Sequence, residues 1–256
     1  KTTFLNTLQS LLGEYAEQTS FQTFLQTQNE TVRNDLAKLQ NCRFAAAIEA
    51  DEGRRLAEGL IKQLTGQDAI STRFLYGEYF TFKPQFKIWL ATNHKPDIRG
   101  TDHAIWRRVK LIPFLSTISE KNRDESLPDK LKAELPGILT WAIHGCLEWQ
   151  KFRLTPAPEA VTFATNMYRK DQDTLGQFFE DCCVLNPAFT TPSADLYQAY
   201  KSWCEQNSEK PMSQKALGAR LKERGLTNSK NTLTDRAQWQ GVGLKYTENT
   251  VEQATR

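Results

Sequence analysis

RFAAAIEADEGRRLAEGLIKQLTG, residues 43–66, joins two unlike patterns. Phe44 to Ile48 is a short, wholly apolar run of small side chains closed by Glu49. The segment after it is amphipathic and stops at Gly66. A continuous apolar run of this length reads as a strand buried on both faces, and the stretch behind it reads as a helix ended by glycine. The pattern recurs at KIWLATN, residues 87–93, another buried strand, which runs into Asn93 and the turn His94-Lys95-Pro96. VKLIPF, residues 109–114, reads as a third, and EYAEQTS, residues 14–20, as a short one. Strands alternating with helices predict an α/β domain whose mainly parallel sheet is covered on both faces.

Working outward, KTTFLNTL opens the chain on an amphipathic helix, with Phe4, Leu5, Leu8, Leu11 and Leu12 at helical spacing. TVRNDLAKLQN, residues 31–41, reads as another helix. Residues 69–83, AISTRFLYGEYFTFK, alternate and turn around Tyr76-Gly77-Glu78, which predicts a hairpin. From 127 to 183 the pattern is helical. The stretch LNPAFTTP, residues 185–192, reads as a break. Beyond it SADLYQAYKSWCEQ and SQKALGARLKERG read as helices, and LTNSKNTLTDRAQWQGVGLKY as a hairpin. Small helices capped by a β-wing predict a winged-helix-like module. The expected organisation is a core at 1–150, a helical connector at 151–184 and a small C-terminal domain at 185–256.

The 256 residues carry a net charge of +3, so any nucleic-acid surface must be local rather than global. The apolar runs fall short of a membrane span. Five cysteines without a C-x-x-C pair read as reduced structural thiols in a cytoplasmic protein, and three scattered histidines argue against zinc.

Several residues can carry chemistry, each with an ordinary alternative. Lys1-Thr2 ahead of a helix matches the end of a phosphate-binding G-x-x-x-x-G-K-[ST] loop, or is a plain helix start. Glu49 at a strand end can organise Mg²⁺ or polarise water, or is an acid favoured by a helix dipole, as Asp51 and Glu52 are. Asn93 can orient water and sense a γ-phosphate, or form a turn. Arg107 and Arg108 can reach a neighbour's nucleotide, or form a surface pair.

The order of these features, together with IKQLTGQD (61–68), KIWLATNHKP (87–96) and AIWRRVKLIPF (104–114), resembles the superfamily III helicase domain of phage, plasmid and poxvirus primase–helicases. The resemblance covers about residues 1–150 and continues more weakly beyond. It implies an AAA+-like fold that binds ATP and Mg²⁺. Lys1 would hold phosphates, Thr2 would ligate Mg²⁺, Glu49 would be the Walker B acid with Glu52 a poorer second carboxylate, and Asn93 the polar sensor. Arg108, with Arg107 beside it, would be a finger acting across the boundary between subunits of a hexameric ring.

Residues 62–83 would place a hairpin on single-stranded DNA in the ring channel. Lys62, Arg73 and Lys83 would meet phosphates, and Phe74, Tyr76 and Tyr79 would stack on bases or pack the hairpin. Packing is favoured by the alternation. In the C-terminal module, Arg220, Lys222, Arg224, Lys230 and Arg236 would offer a basic face to duplex DNA, or form a solvated helix surface.

The glycine half of the phosphate loop and its preceding strand are absent, so the expectation is a fragment of a larger primase–helicase, inactive alone. The function implied is ATP-driven translocation on single-stranded and forked DNA in replication, in a bacterial or phage-infected cell, with a fused primase domain possible upstream. The alternative is a non-catalytic DNA-binding or assembly module with a degenerate P-loop fold.

Overall fold

The computed structural model describes residues 1–27, 32–48, 53–100, 102–232 and 234–245. They form two compact units, Lys1–Gln172 and Asp173–Arg256. The expected connector is therefore divided between them.

In the first unit three parallel strands, β1 (Ala16–Thr19), β2 (Phe44–Ile48) and β5 (Lys87–Ala91), lie in the order β1-β2-β5. Ile48 pairs with Ala91, and Thr19 with Ala47, so all three strands end at one edge of the sheet. Side chains alternate between the faces. Phe44, Ala46 and Trp89 meet helix α1 (Thr2–Leu12) through Leu5, Leu8 and Leu12, while Ala45, Ala47, Ile88 and Leu90 face the larger core of Phe24, Leu36, Leu64, Ile98 and Ile105. The three alanines of β2, all fully buried, allow close packing on both sides of the sheet.

The helix expected over residues 31–41 is only α2 (Asn34–Ala37), and the helix after Glu49 is only α3 (Glu58–Leu64). Residues 54–57 are instead extended. Leu56 bridges Leu25, Arg55 bridges Asp97, and the Ala57 amide donates to the Phe24 carbonyl at 2.8 Å. Tertiary hydrogen bonds override helix propensity there. VKLIPF, expected as a strand, forms no strand among the described residues; Val109 and Leu111 still pack on the core.

Between that segment and β5, the edge strand of the described sheet, lies a mainly apolar cavity of about 620 Å³ lined by Ile88, Leu90, Val109 and Leu111. The predicted hairpin is present: β3 (Ile70–Thr72) pairs antiparallel with β4 (Phe80–Phe82). Helix α4 (His103–Trp106), then α5 (Leu127–Ala133), α6 (Leu135–Phe152) and α7 (Glu159–Asp171) complete the unit.

The second unit runs α8 (Thr174–Cys182), β6 (Cys183–Pro192), α9 (Ser193–Gln206), α10 (Gln214–Glu223), β7 (Thr227–Lys230) and β8 (Ala237–Leu244), its antiparallel sheet ordered β6-β8-β7. LNPAFTTP, expected as a break, forms most of β6. Its register against β8 shifts between Leu185 and Thr190, so Asn186 and Pro187 sit in a bulge where proline costs no ladder hydrogen bond. Phe178, Leu196, Tyr200, Trp203, Leu221 and Trp239 form its core. Gly241 in β8 has φ +90°, a conformation that L side chains resist.

Candidate functional site

Lys1 caps the N-terminal end of α1, where helix N–H groups and the dipole favour an anion. Its Nζ donates to the Thr92 carbonyl at 2.6 Å and to Asn93 Oδ1 at 2.5 Å. Asn93 itself lies just past β5, on a turn in which the Thr92 hydroxyl donates to the His94 carbonyl and accepts from the His94 amide. Residues separated by 92 positions thus meet because α1 packs on the face of the strand that delivers Asn93.

Around this pair lies an open cleft of about 510 Å³, lined by Lys1, Thr2, Ser20, Gln22, Ile48 and Asn93 among others. It occupies the carboxyl ends of all three parallel strands, where open α/β sheets place their ligands. The lining offers the Lys1 ammonium, the hydroxyls of Thr2, Ser20 and Thr92, the amides of Gln22 and Asn93 and the His94 imidazole, a donor-rich set suited to a polyanion. Glu49 and Glu52 lie outside the described residues. Ile48, which immediately precedes Glu49, lines the cleft and pairs with Ala91, two residues before Asn93.

The arginines are not in this cleft. Arg108 Nη1 donates to the Ala104 carbonyl at 2.6 Å and Nε donates to Thr65 Oγ1 at 3.0 Å, joining α4 to α3. Arg107 is exposed and makes no side-chain hydrogen bond among the described residues. Of the pair, Arg107 is the one free to reach outward.

Lys62 is not on the hairpin. It sits in α3 and donates to Asp102 Oδ2 at 2.7 Å, while the other Asp102 oxygen caps α4 through the Ile105 amide at 3.0 Å. The Lys62 hydrogen bond holds the Asp102 carboxyl below the usual range. On the hairpin, the Gly77 amide donates to the Phe74 carbonyl at 2.9 Å, closing a turn in which Tyr76 takes φ +64° and stands 97% exposed. Alternation favours packing for the aromatics, and Phe74 does stack on Phe80 with centroids 5.7 Å apart. Tyr76 stands clear of the other described residues, and Arg73 lies 4.8 Å over the exposed Tyr79 ring. Lys83 is exposed beyond β4 and lines the cavity beside β5.

In the second unit Lys222 and Arg236 are exposed, Lys230 pairs with Asp235 at 3.2 Å, and Arg220 with Glu223 at 2.9 Å. Arg224 is held by Asp173, so it is structural rather than available. Sequence reading missed Ser20 and Gln22, which reach the cleft through the short 3₁₀ turn Phe21–Phe24; the signal was a serine closing a predicted strand, and it caps that turn by accepting from the Gln22 amide at 3.2 Å.

A cleft built from a helix N-terminus and parallel strand ends is the kind of site that mononucleotide-binding α/β proteins use. Two family models match the chain: residues 1–108 match a family of unknown function (DUF5906), and residues 170–250 match the family described as Poxvirus D5 protein-like. Among curated proteins, the chain is 28% identical over 229 residues to "Putative helicase 022R" of Frog virus 3 (isolate Goorha), covering 81% of the chain and 23% of that protein. It is 33% identical over 192 residues to "Putative helicase L207/L206" of Acanthamoeba polyphaga mimivirus, covering 68% and 20% respectively. It is also 31% identical over 171 residues to "Putative helicase 184R" of Invertebrate iridescent virus 6, covering 54% and 18%. The chain thus spans about a fifth of the length of the curated relatives it matches. Among the described residues, no helix is long and apolar enough to cross a membrane.

Proposed function

We propose that the chain is the motor part of a longer superfamily III-type DNA helicase, which couples ATP hydrolysis to movement along single-stranded DNA during replication of a virus or phage. The observation that carries this reading is the convergence of Lys1, Thr2 and Asn93 on one cleft at the ends of adjacent parallel strands, with Glu49 one residue beyond β2. Lys1 would bind the β- and γ-phosphates of ATP, and Thr2 with Glu49 would hold Mg²⁺. The metal would neutralise charge developing on the phosphoryl oxygens. Asn93 would orient the attacking water. Arg107 would approach a neighbouring subunit's nucleotide in a ring, with Arg108 fixing its base on α4.

The phosphate cradle itself requires backbone N–H groups from a glycine-rich loop ahead of Lys1. The cavity between β5 and residues 109–111 would suit the strand leading into such a loop: it is mainly apolar, it flanks an open strand edge, and a parallel strand there would end beside Lys1. The hairpin tip, with Tyr76, Tyr79 and Arg73, would contact single-stranded DNA by stacking and charge. The helix–strand–helix–helix–strand–strand order of the second unit supports reading it as a winged helix, in which Lys222, Lys230 and Arg236 would meet duplex phosphates at a fork.

The test is DNA-stimulated ATPase of the longer protein, compared with Glu49→Gln. Activity lost by at least a hundredfold in the variant, with Mg-ATP still bound, supports the motor. A longer protein that binds DNA but never hydrolyses ATP would instead be the non-catalytic assembly module.

A further inference from the structure

The turn that carries Asn93 continues into residues 94–98, and that loop is gripped by the end of α7, more than 70 residues further along the chain. The Tyr168 hydroxyl donates to the Pro96 carbonyl. Lys95 Nζ bonds Asp171 Oδ2 at 3.0 Å and lies 5.0 Å over the Tyr168 ring. The Ile98 amide donates to Gln172 Oε1 at 2.7 Å. Below, the Tyr168 ring meets the buried Trp106 edge-on, centroids 5.3 Å apart at 86°, and Trp106 Nε1 donates to the Gly100 carbonyl at 2.7 Å.

Three successive parts of one loop are therefore held by three side chains within five residues of α7 and its end. The Tyr168 side chain is itself buried, at 2% exposure, so its ring is a fixed post rather than a mobile arm. Burial, with the Asp97 carboxylate nearby, pushes the phenol above the ordinary tyrosine range, so it remains a donor at neutral pH.

Resting on the reading of the cleft as a nucleotide site, we propose that Tyr168, assisted by Lys95 and Gln172, is a positioning residue that sets the Asn93 amide for hydrolysis. None of the three lines the cleft, so each acts through the loop and not on the nucleotide. A side chain held to within a few tenths of an ångström orients a water; one on a loop free to shift by about 1 Å loses roughly a hundredfold in rate. The same contacts tie the Asn93 turn to Gln172, the residue at which the first compact unit ends.

The experiment uses the longer protein and reads two quantities, steady-state DNA-stimulated ATPase and amide hydrogen exchange over residues 94–98. Tyr168→Phe removes one hydroxyl and leaves the ring packed. It is expected to lower kcat at least tenfold with KM for Mg-ATP changed less than threefold, and to speed exchange at Ile98 and its neighbours about tenfold. Lys95→Met should act in the same direction, whereas Lys95→Arg, which keeps the ion pair, should restore both readouts. Wild-type ATPase with Tyr168→Phe and Lys95→Met both silent in kcat and exchange would overturn the positioning role alone. A wild-type protein without ATPase would overturn the reading of the cleft, and the role with it. If Tyr168→Phe proves unstable, Lys95→Met, whose side chain is on the surface, decides the matter.

Discussion

Lys1 Nζ donates to Asn93 Oδ1 at 2.5 Å, joining the start of α1 to the end of β5 across the mouth of the cleft. The ammonium takes the amide oxygen and the Thr92 carbonyl as partners. A phosphate bound here would compete with both oxygens for that ammonium, because charge-assisted hydrogen bonds to an anion are roughly twice as strong as those to neutral acceptors.

In the longer protein, Asn93→Ala should therefore lower kcat for ATP hydrolysis about a hundredfold while changing Mg-ATP affinity by less than about threefold, since it removes a group acting on the water and not the phosphate grip. Lys1→Ala should instead weaken nucleotide binding itself. Steady-state kinetics beside equilibrium titration separates the two, and equal effects on both constants would show that the residues are not doing different jobs.

Arg107 and Arg108 should also separate. Arg108 is bonded to Ala104 and Thr65, so Arg108→Ala should cost stability at the α3–α4 contact, about 1–3 kcal/mol for hydrogen bonds made by a charged group. Arg107→Ala should leave the melting temperature unchanged and reduce the ATPase about a thousandfold. Mixing Arg107→Ala with Glu49→Gln subunits should show whether the guanidinium acts across a boundary; mixtures no better than either parent would place it elsewhere.

The hairpin tip gives a prediction about DNA alone. Tyr76 is fully exposed in a left-handed conformation, which a tyrosine rarely adopts. Tyr76→Gly should relax the turn and stabilise or leave unchanged the folded protein, yet weaken single-stranded DNA binding by about 1–3 kcal/mol if a base stacks there. Fluorescence anisotropy with a labelled oligonucleotide reads this, and unchanged affinity would assign the ring no base.

Acid should unpick the α3–α4 contact. Asp102 is depressed chiefly by its hydrogen bond from Lys62, so its contribution is present above the unfolded value of about 3.9 and is lost as pH falls through the lower folded value. The stability difference between wild type and Asp102→Asn should be constant from about pH 5 to 7 and shrink below pH 4. A difference that persists at pH 2.5 would mean the carboxylate does not carry it.

Thiol chemistry reports on both cores. Burial raises Cys42 to about 11 and Cys183 to about 12, and Cys204 is buried too, while Cys146 is exposed. At pH 8, a thiol reagent should label Cys146 fast and the buried three only after denaturation.

The strands were legible where an apolar run ended in a polar residue: Phe44–Ile48 and Lys87–Ala91 stand where that pattern places them. The Tyr76-Gly77 turn was equally plain, because alternation on both sides fixes the register. Failures fell where long-range contacts decide. Residues 54–57 read as helix but are strapped to Phe24 and Asp97, and Asn186-Pro187 read as a break because a bulge has no local signature.

In the site, Lys1, Thr2 and Asn93 carried recognisable residue types at strand or helix ends. Ser20 and Gln22 did not, since their place in the cleft depends on a turn whose packing only the fold reveals. Arg108 shows a different limit of sequence reading. A sequence displays a guanidinium but not its partners, and Ala104 and Thr65 hold this one.

The most direct test is Mg-ATP titration of the longer protein, followed by calorimetry. A single micromolar site, lost in Lys1→Ala and kept in Asn93→Ala, is the predicted result. Equal binding by wild type and Lys1→Ala, or none by either, would contradict a triphosphate at the end of β5.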